Sequence, residues 1–208
     1  AVTNAGSSLT LVMQPSDVTN QQGMEFFGCV VTNFTLSADA TAEGGRYKFS
    51  ATLQTGKVPD LASVAEPTIT PYANTTDVFL SSASGIKVFN TEAIMQSFST
   101  TIESPAVFTG FTSTGYQAVS RGAEVAVTAE STIKYDANTK TLINTFDTQT
   151  SALAGNSLVI TNNNAYGVLI DNAVLTDVAL NEGDIMMLDC SLKSVNDGSD
   201  PLVTINVS

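Results

Sequence analysis

The chain has 208 residues, with eight basic and twenty acidic side chains, no histidine and a net charge of -12. Its hydrophobic content of 43 % suffices for a packed core, while only 13 % of its residues are charged. Ser, Thr, Asn and Gly fill the polar positions, which favours strands and turns over long surface helices. The negative charge argues against nucleic-acid binding through phosphates, and the missing histidine removes the commonest general base and zinc ligand.

Residues 1–23 hold few alternating positions and are predicted to form an N-terminal arm. Residues 24–208 are predicted to form a single antiparallel β-sandwich domain. Terminal segments are poorly ordered unless something ties them down. We therefore expect the arm to contact neighbouring molecules.

A strand, an acidic turn and a second strand are predicted over residues 28–55. Glu43 and Gly44 mark the turn, where glycine supplies backbone freedom. In the second strand the apolar residues Tyr47, Phe49, Ala51 and Leu53 alternate with Lys48, Ser50 and Thr52. Because successive side chains of a strand point to opposite faces, this pattern predicts one buried apolar face.

Residues 56–92 form a long excursion in which prolines, glycines and serines interrupt the pattern. Short strands are expected near 78–80 and 86–89. Loops of this length are usually functional or contact partners, so we expect contacts between subunits here as well.

The central segment predicts a strand through Phe98 and Ile102, then a loop that carries Gly110 and Gly115. The longest clean alternation follows over residues 125–135, with apolar side chains on one face and Glu124, Glu130 and their neighbours on the other. The next alternating stretch, 142–146, also predicts a strand. No segment shows sustained helical spacing, which makes the fold all-β.

The strand–turn–strand unit recurs over residues 167–194, offset by 139 positions. The identical residues are Gly28, Asn33, Leu36, Ala40, Glu43, Gly44 and Leu53 in the first copy, and Gly167, Asn172, Leu175, Ala179, Glu182, Gly183 and Leu192 in the second. An internally repeated β-unit favours a scaffold over an enzyme. The chain then closes with a predicted edge strand over 202–207.

Candidate reactive residues are few. Cys29 and Cys190 have no metal-ligand spacing, and two buried free thiols are expected instead of a disulfide. Asp184 and Asp189 are the nearest carboxylate pair but have opposite parity on their strand. The segment 196–200 lacks calcium-loop spacing and predicts a tight turn. We therefore predict no catalytic, cofactor-binding or metal-binding residues, and no enzyme.

Three segments, 29–60, 97–142 and 172–195, together resemble the tail tube proteins of long-tailed bacteriophages. The shared features are a strand, acidic-glycine turn and strand, followed by a Phe-Ser-Thr-Thr-Ile strand and by a strand that begins at Arg-Gly and ends at Tyr-Asp. A repeat of the first element completes the pattern. These motifs are β-patterns and contain no reactive-residue signature.

The resemblance implies a β-sandwich whose protomers join into hexameric rings, with strands from all subunits forming a continuous inner β-barrel. The rings stack into a hollow tube through which the genome passes without specific binding. Long loops and terminal arms bridge successive rings. Further implied partners are other tail proteins, such as the tape measure and tail terminator, with assembly in the bacterial host cytoplasm and a final location in the virion tail. No membrane partner is expected.

Acidic side chains that line such a bore would leave DNA no cationic site on which to stall, since DNA carries about one charge per 1.7 Å of axis. The candidate channel-lining acids are Glu124, Glu130 and Asp189. Two alternatives stay open at the level of the sequence. One is another virion structural protein, such as a capsid decoration or tail-tip protein, and the other is a secreted carbohydrate-binding or adhesin module.

Overall fold

The structure, a computed structural model, describes residues 9–13, 24–60, 79–80, 83, 85–111, 113, 117–121, 124–162 and 166–207. These residues form fourteen strands, one α-helix and one 3-10 turn. The strands are β1 (Leu9–Met13), β2 (Met24–Asp39), β3 (Lys48–Gln54), β4 (Gly85–Val88), β5 (Thr91–Glu92), β6 (Met95–Glu103), β7 (Ala106–Phe111), β8 (Gln117–Arg121), β9 (Ala126–Lys134), β10 (Leu158–Asn162), β11 (Tyr166–Ile170), β12 (Ala173–Asn181), β13 (Met187–Ser194) and β14 (Thr204–Val207). The helix α1 is Thr141–Thr148 and the 3-10 turn is Glu43–Gly45.

Two open antiparallel sheets and a separate hairpin account for these strands. The first sheet has seven strands in the order β1-β2-β6-β9-β13-β12, with β3 paired to β2 as well. The second has five strands in the order β14-β11-β10-β4-β5, and β7 pairs with β8 alone. One hydrophobic core contains residues of both large sheets. The prediction of an all-β antiparallel sandwich is confirmed, and neither sheet closes into a barrel within one chain.

Strict alternation builds the core side of the first sheet. In β9 the buried residues are Val127, Ala129, Ser131 and Ile133, and in β13 they are Leu188, Cys190, Leu192 and Ser194. The intervening residues point away from the core. The strands predicted through Phe98 and over 125–135 are therefore confirmed, as is the edge strand near the end of the chain.

Both cysteines are buried free thiols, as expected from the sequence. Burial is the main cause that raises the pKa of the Cys190 thiol to about 12, and Asp189 and Asp177 add to it. The Cys29 thiol donates to the carbonyl oxygen of Phe26 at 3.4 Å. Neither thiol is placed to act as a nucleophile, because the reactive species is the exposed thiolate.

The prediction of a strand over 142–146 is wrong, since these residues belong to helix α1. Leu142 is buried, and Ile143 and Phe146 pack against the core. Leu142 and Phe146 are four residues apart, a spacing that suits one face of a helix as well as an alternating strand. The turn before the helix decides the outcome, because the Asp136 carboxylate accepts backbone hydrogen bonds from Asn138 and Thr139 at 2.8 and 3.0 Å.

The predicted burial of one face of β3 is also wrong. Phe49 is 75 % exposed and Ala51 is exposed, because β3 lies at the edge of the first sheet, beyond the cover of the second. Only Tyr47, just before the strand, packs on the core, with its ring edge-on to Phe98 at 5.4 Å between centroids. The alternation correctly predicted which side of the sheet each β3 residue faces, but not that the core side of β3 lies uncovered.

The segments predicted to be the arm and the loops contain several strands. Within 1–23, β1 pairs with the start of β2, which extends four residues upstream of Gly28. The loop predicted around Gly110 and Gly115 contains the β7–β8 hairpin. In the excursion 56–92, β4 confirms the strand near 86–89, whereas Val78 lies outside the described residues.

The two proposed repeat copies each contain an antiparallel pair, but the pairs have different registers. Leu36 lies opposite Phe49 in the first copy, whereas its counterpart Leu175 lies opposite Leu192 in the second. Each first strand has a bulge, between Val31 and Asn33 and between Leu175 and Asp177 respectively. An internal duplication remains a prediction from the sequence.

The core face contains unpaired hydroxyls whose removal is expected to stabilise the fold. Thr100 Oγ1 is buried and has no hydrogen-bond partner among the described residues. Thr100→Val is expected to raise the free energy of unfolding of the unassembled chain by about 1 kcal/mol, because it removes a buried unsatisfied group. Equilibrium urea unfolding measures this value.

The neighbouring residue supplies the control for this substitution. Thr101 faces the other side of β6 and shares a hydrogen bond of 3.1 Å with Thr35 Oγ1. Thr101→Val makes the same chemical change but loses that bond, so it should not stabilise the chain. Equal effects of the two substitutions would contradict the assignment of Thr100.

Candidate functional site: a polar sheet face between two open edges

The face of the seven-stranded sheet that points away from the core is polar throughout its centre. Three rows of cross-strand neighbours define this polar face: Asp39, Ser97, Thr132, Asp189 and Ala179; Ser37, Ser99, Glu130, Ser191 and Asp177; and Thr35, Thr101, Thr128, Lys193 and Val174. More than half of these side chains are Ser or Thr. Burial of these hydroxyls and carboxylates against an apolar layer would cost free energy, so this face is suited to contact with water.

Hydrogen bonds between neighbouring strands hold these side chains in place. Thr132 Oγ1 donates to Asp189 Oδ1 at 2.7 Å, and Asn181 Nδ2 donates to Asp189 Oδ2 at 3.1 Å. At the end of β2, Thr41 donates from both its hydroxyl and its backbone N–H to Asp39 Oδ1, at 2.7 and 2.8 Å. These bonds are the main cause that lowers the pKa of Asp39, which keeps its carboxylate ionised well below neutral pH.

The charges on this side of the sheet are mixed, with an acidic excess. The acids are Asp39, Glu103, Glu130, Asp177 and Asp189, and the lysines are Lys48, Lys134 and Lys193. The two most central acids, Glu130 and Asp189, lie on adjacent strands in adjacent rows. Only a small part of the net charge of -12 is therefore carried by this face.

The three acids predicted from the sequence separate in the structure. Glu130 and Asp189 share the centre of the polar face, whereas Glu124 precedes β9 and is exposed beside a cleft of about 560 Å³ lined by Val195 and Pro201. The alternation in the sequence correctly placed Glu130 on the polar side of β9. It missed Asp39 and Asp177, because their approach depends on pairing registers that no local pattern reveals.

Strands β3 and β12 form the two lateral edges of this sheet. Phe49 of β3 is 75 % exposed and Leu180 of β12 is 41 % exposed, and both point to the core side of the sheet beyond the second sheet. Part of the β12 edge is already occupied. The Leu153 N–H donates to the Ala173 carbonyl at 2.9 Å, and the Ala173 N–H donates back at 3.3 Å.

The Gln149 side chain continues this cover along the β12 edge. Its Oε1 accepts from the Leu175 N–H at 3.1 Å, and its Nε2 donates to the Leu175 carbonyl oxygen. The amide of Gln149 thus pairs with Leu175 as a neighbouring strand would. Residues 177–181 have no such partner on their outer edge among the residues that the structure describes.

The remaining candidate sites are structural. In the segment 196–200, Asp197 Oδ1 accepts from the backbone N–H groups of Ser199 and Asp200 at 2.9 and 3.1 Å, and these bonds lower the pKa of Asp197. This is the tight turn predicted from the sequence. The described part of the chain contains no group of three or more potential metal ligands and no helix long and apolar enough to span a membrane.

A comparison with protein families places these features in context. The family model described as phage tail tube protein matches residues 1–208, the full length of the chain. A search of curated proteins gave no match. The family match favours a tail component over the capsid-decoration and secreted-module alternatives.

The members of this family are structural proteins and not enzymes. They are components of the virion tail and assemble with copies of themselves and with other tail proteins. The polar sheet face, the open edges and the full-length match lead to one assignment: this chain belongs to the phage tail tube protein family.

Proposed function

We propose that this chain is the subunit of stacked rings, six copies in each by the resemblance, that form the channel for genome delivery. The observation that supports the proposal is that one sheet combines the polar face with the two edge strands β3 and β12, each of which has open stretches among the described residues. Open edges invite pairing with another chain, and proteins normally protect them. A ring of copies removes both edges at once, because each β3 edge finds a β12 edge.

The strand directions support this closure. From β3 through β2, β6, β9 and β13 to β12 there are six strands, and every neighbouring pair is antiparallel. The first and last strands therefore run in opposite directions. Rotation about a tube axis keeps these directions, so β12 of one copy meets β3 of the next in the same antiparallel sense.

The polar face is proposed to line the bore. The second sheet covers the other side, which leaves the rows centred on Thr128, Glu130 and Thr132 as the inner surface. Hydroxyl groups hydrate well, and the five acids on this side of the sheet outnumber its three lysines, so the net charge of the surface disfavours binding of DNA phosphates. Glu130 and Asp189 remain the proposed lining acids, while Glu124 would lie at the rim of the sheet.

Exposed apolar side chains of the β7–β8 hairpin and of β1 are proposed to join successive rings. The β7–β8 hairpin exposes Val107, Phe108 and Phe111, and β1 exposes Leu9, Leu11 and Met13. A two-stranded hairpin is marginal alone, so contacts with the adjacent ring would stabilise it. The tape measure and tail terminator are the further proposed partners, with assembly in the host cytoplasm.

Electron microscopy of the purified protein at high concentration tests the proposal. We expect hollow tubes of uniform width built from stacked rings. Phe49→Lys should abolish tubes and leave a folded monomer, because it places a charge on an open edge at a side chain that is 75 % exposed. Asn144→Lys, at an exposed position of α1, adds the same charge outside the two edge strands and should assemble. Dispersed monomers of the unmodified chain, even after seeding, would overturn the proposal.

The proposed lining predicts a charge-dependent rate of genome ejection. Glu130→Lys combined with Asp189→Lys should leave tubes intact but slow ejection from virions, because each ring would then bind phosphates. The delay should shrink as salt rises. Asp147→Lys, on the exposed face of α1, is the control and should eject normally. An unchanged ejection rate in the double variant would contradict the lining.

A further inference from the structure

Half of the β12 edge is closed within the chain itself, and this closure restricts how a second copy can pair with it. Leu153 pairs with Ala173, and the Gln149 amide pairs with Leu175. A neighbouring strand cannot use the same backbone groups. Among the described residues of β12, the stretch 177–181 is the part that stays available to another copy of this chain.

The cross-strand rows show which pairing the closed half forbids. Lys48 and Asp177 lie at opposite ends of one row, linked through Ser37, Ser99, Glu130 and Ser191. If rows continued straight into the next copy, its Lys48 would lie opposite Asp177. The rest of its β3 would then run along Leu175 and Ala173, which are occupied. A straight, unstaggered ring is therefore excluded unless Gln149 and Leu153 move.

We infer that β3 of the neighbouring copy pairs with 177–181 in a staggered register, with Lys48 opposite Asn181 and Thr52 opposite Asp177. This inference rests on the proposed ring assembly and specifies its register. The stagger is four residues per subunit. Barrels need such a stagger, because their strands tilt relative to the axis. Gln149 is thus a positioning residue that sets the tilt of the tube wall.

The chemistry of the two edges matches in this register. Phe49 of one copy lies opposite Leu180 of the next, and Ala51 lies opposite Val178, all on the core side of the sheet. The exposed surfaces of Phe49 and Leu180 then cover each other. On the polar face, Ser50 lies opposite Ala179, which continues the hydroxyl-rich rows into the next subunit.

Paired cysteines test the register directly. Ser50→Cys with Ala179→Cys should give, after oxidation of assembled tubes, a ladder of covalent oligomers on a non-reducing gel. Ser50→Cys with Val174→Cys is the matched control, because Val174 lies on the same face of β12 in its closed half; it should stay monomeric. The native thiols of Cys29 and Cys190 are buried, and the single-cysteine variants show their background.

Removal of the positioning residue completes the test. In the background of Ser50→Cys with Val174→Cys, Gln149→Ala combined with Leu153→Pro should allow the ladder to form and should broaden the distribution of tube widths, because it removes the Gln149 amide and the Leu153 N–H that close this half of the edge. Asp147→Ala, at an exposed position of α1 two residues before Gln149, should do neither. A Val174 ladder without the Gln149 and Leu153 substitutions, or uniform tubes with no Ala179 ladder, would overturn the register and leave the proposed function standing. Failure of the unmodified chain to form tubes would instead overturn the proposed function.

Discussion

Backbone N–H and C=O groups along the edges of the seven-stranded sheet limit how copies of this chain can meet. An edge strand that no loop or helix covers presents a row of unpaired N–H and C=O groups, which can pair with a strand of another chain. Here Leu153 and Gln149 close part of one edge, whereas no described strand pairs with the outer side of β3. Six alternating strands give the two open stretches opposite directions, which is the geometry that the proposed pairing between copies of the chain requires.

The two sheets have different roles. The second sheet covers the apolar side and supplies buried residues such as Val88, Ile160 and Ile170. The first sheet turns Ser, Thr and a few carboxylates toward water, and those carboxylates are held by hydroxyl and amide donors such as Thr132 and Asn181. The proposed channel surface is thus mainly hydroxyl, with a modest acidic excess. This surface differs from the uniformly acidic bore that the net charge of -12 suggests.

Local pattern predicted the class of fold and the faces of its central strands. Alternation over 125–135 gave the buried and polar sides of β9, and the family resemblance was confirmed over the full length. Predictions from local pattern failed where tertiary contacts determine the local structure or its burial. Leu142 and Phe146 fit a strand or a helix equally, and the Asp136 turn selected the helix. The alternation predicted that Phe49 is buried, but its side chain is 75 % exposed because the second sheet does not cover it. The cap formed by Gln149 depends on two segments that are 26 residues apart, and no spacing rule reveals it.

We propose that the open edges join copies of the chain into a tube wall with the polar face inward. A helical reconstruction of assembled tubes by electron cryomicroscopy tests it most directly, since strand order and side-chain direction are visible in the map. We expect β3 of each subunit to lie beside residues 177–181 of its neighbour, with Ser99, Glu130 and Thr132 facing the bore. A bore lined by the five-stranded sheet, or rings joined without contact between these edges, would contradict it.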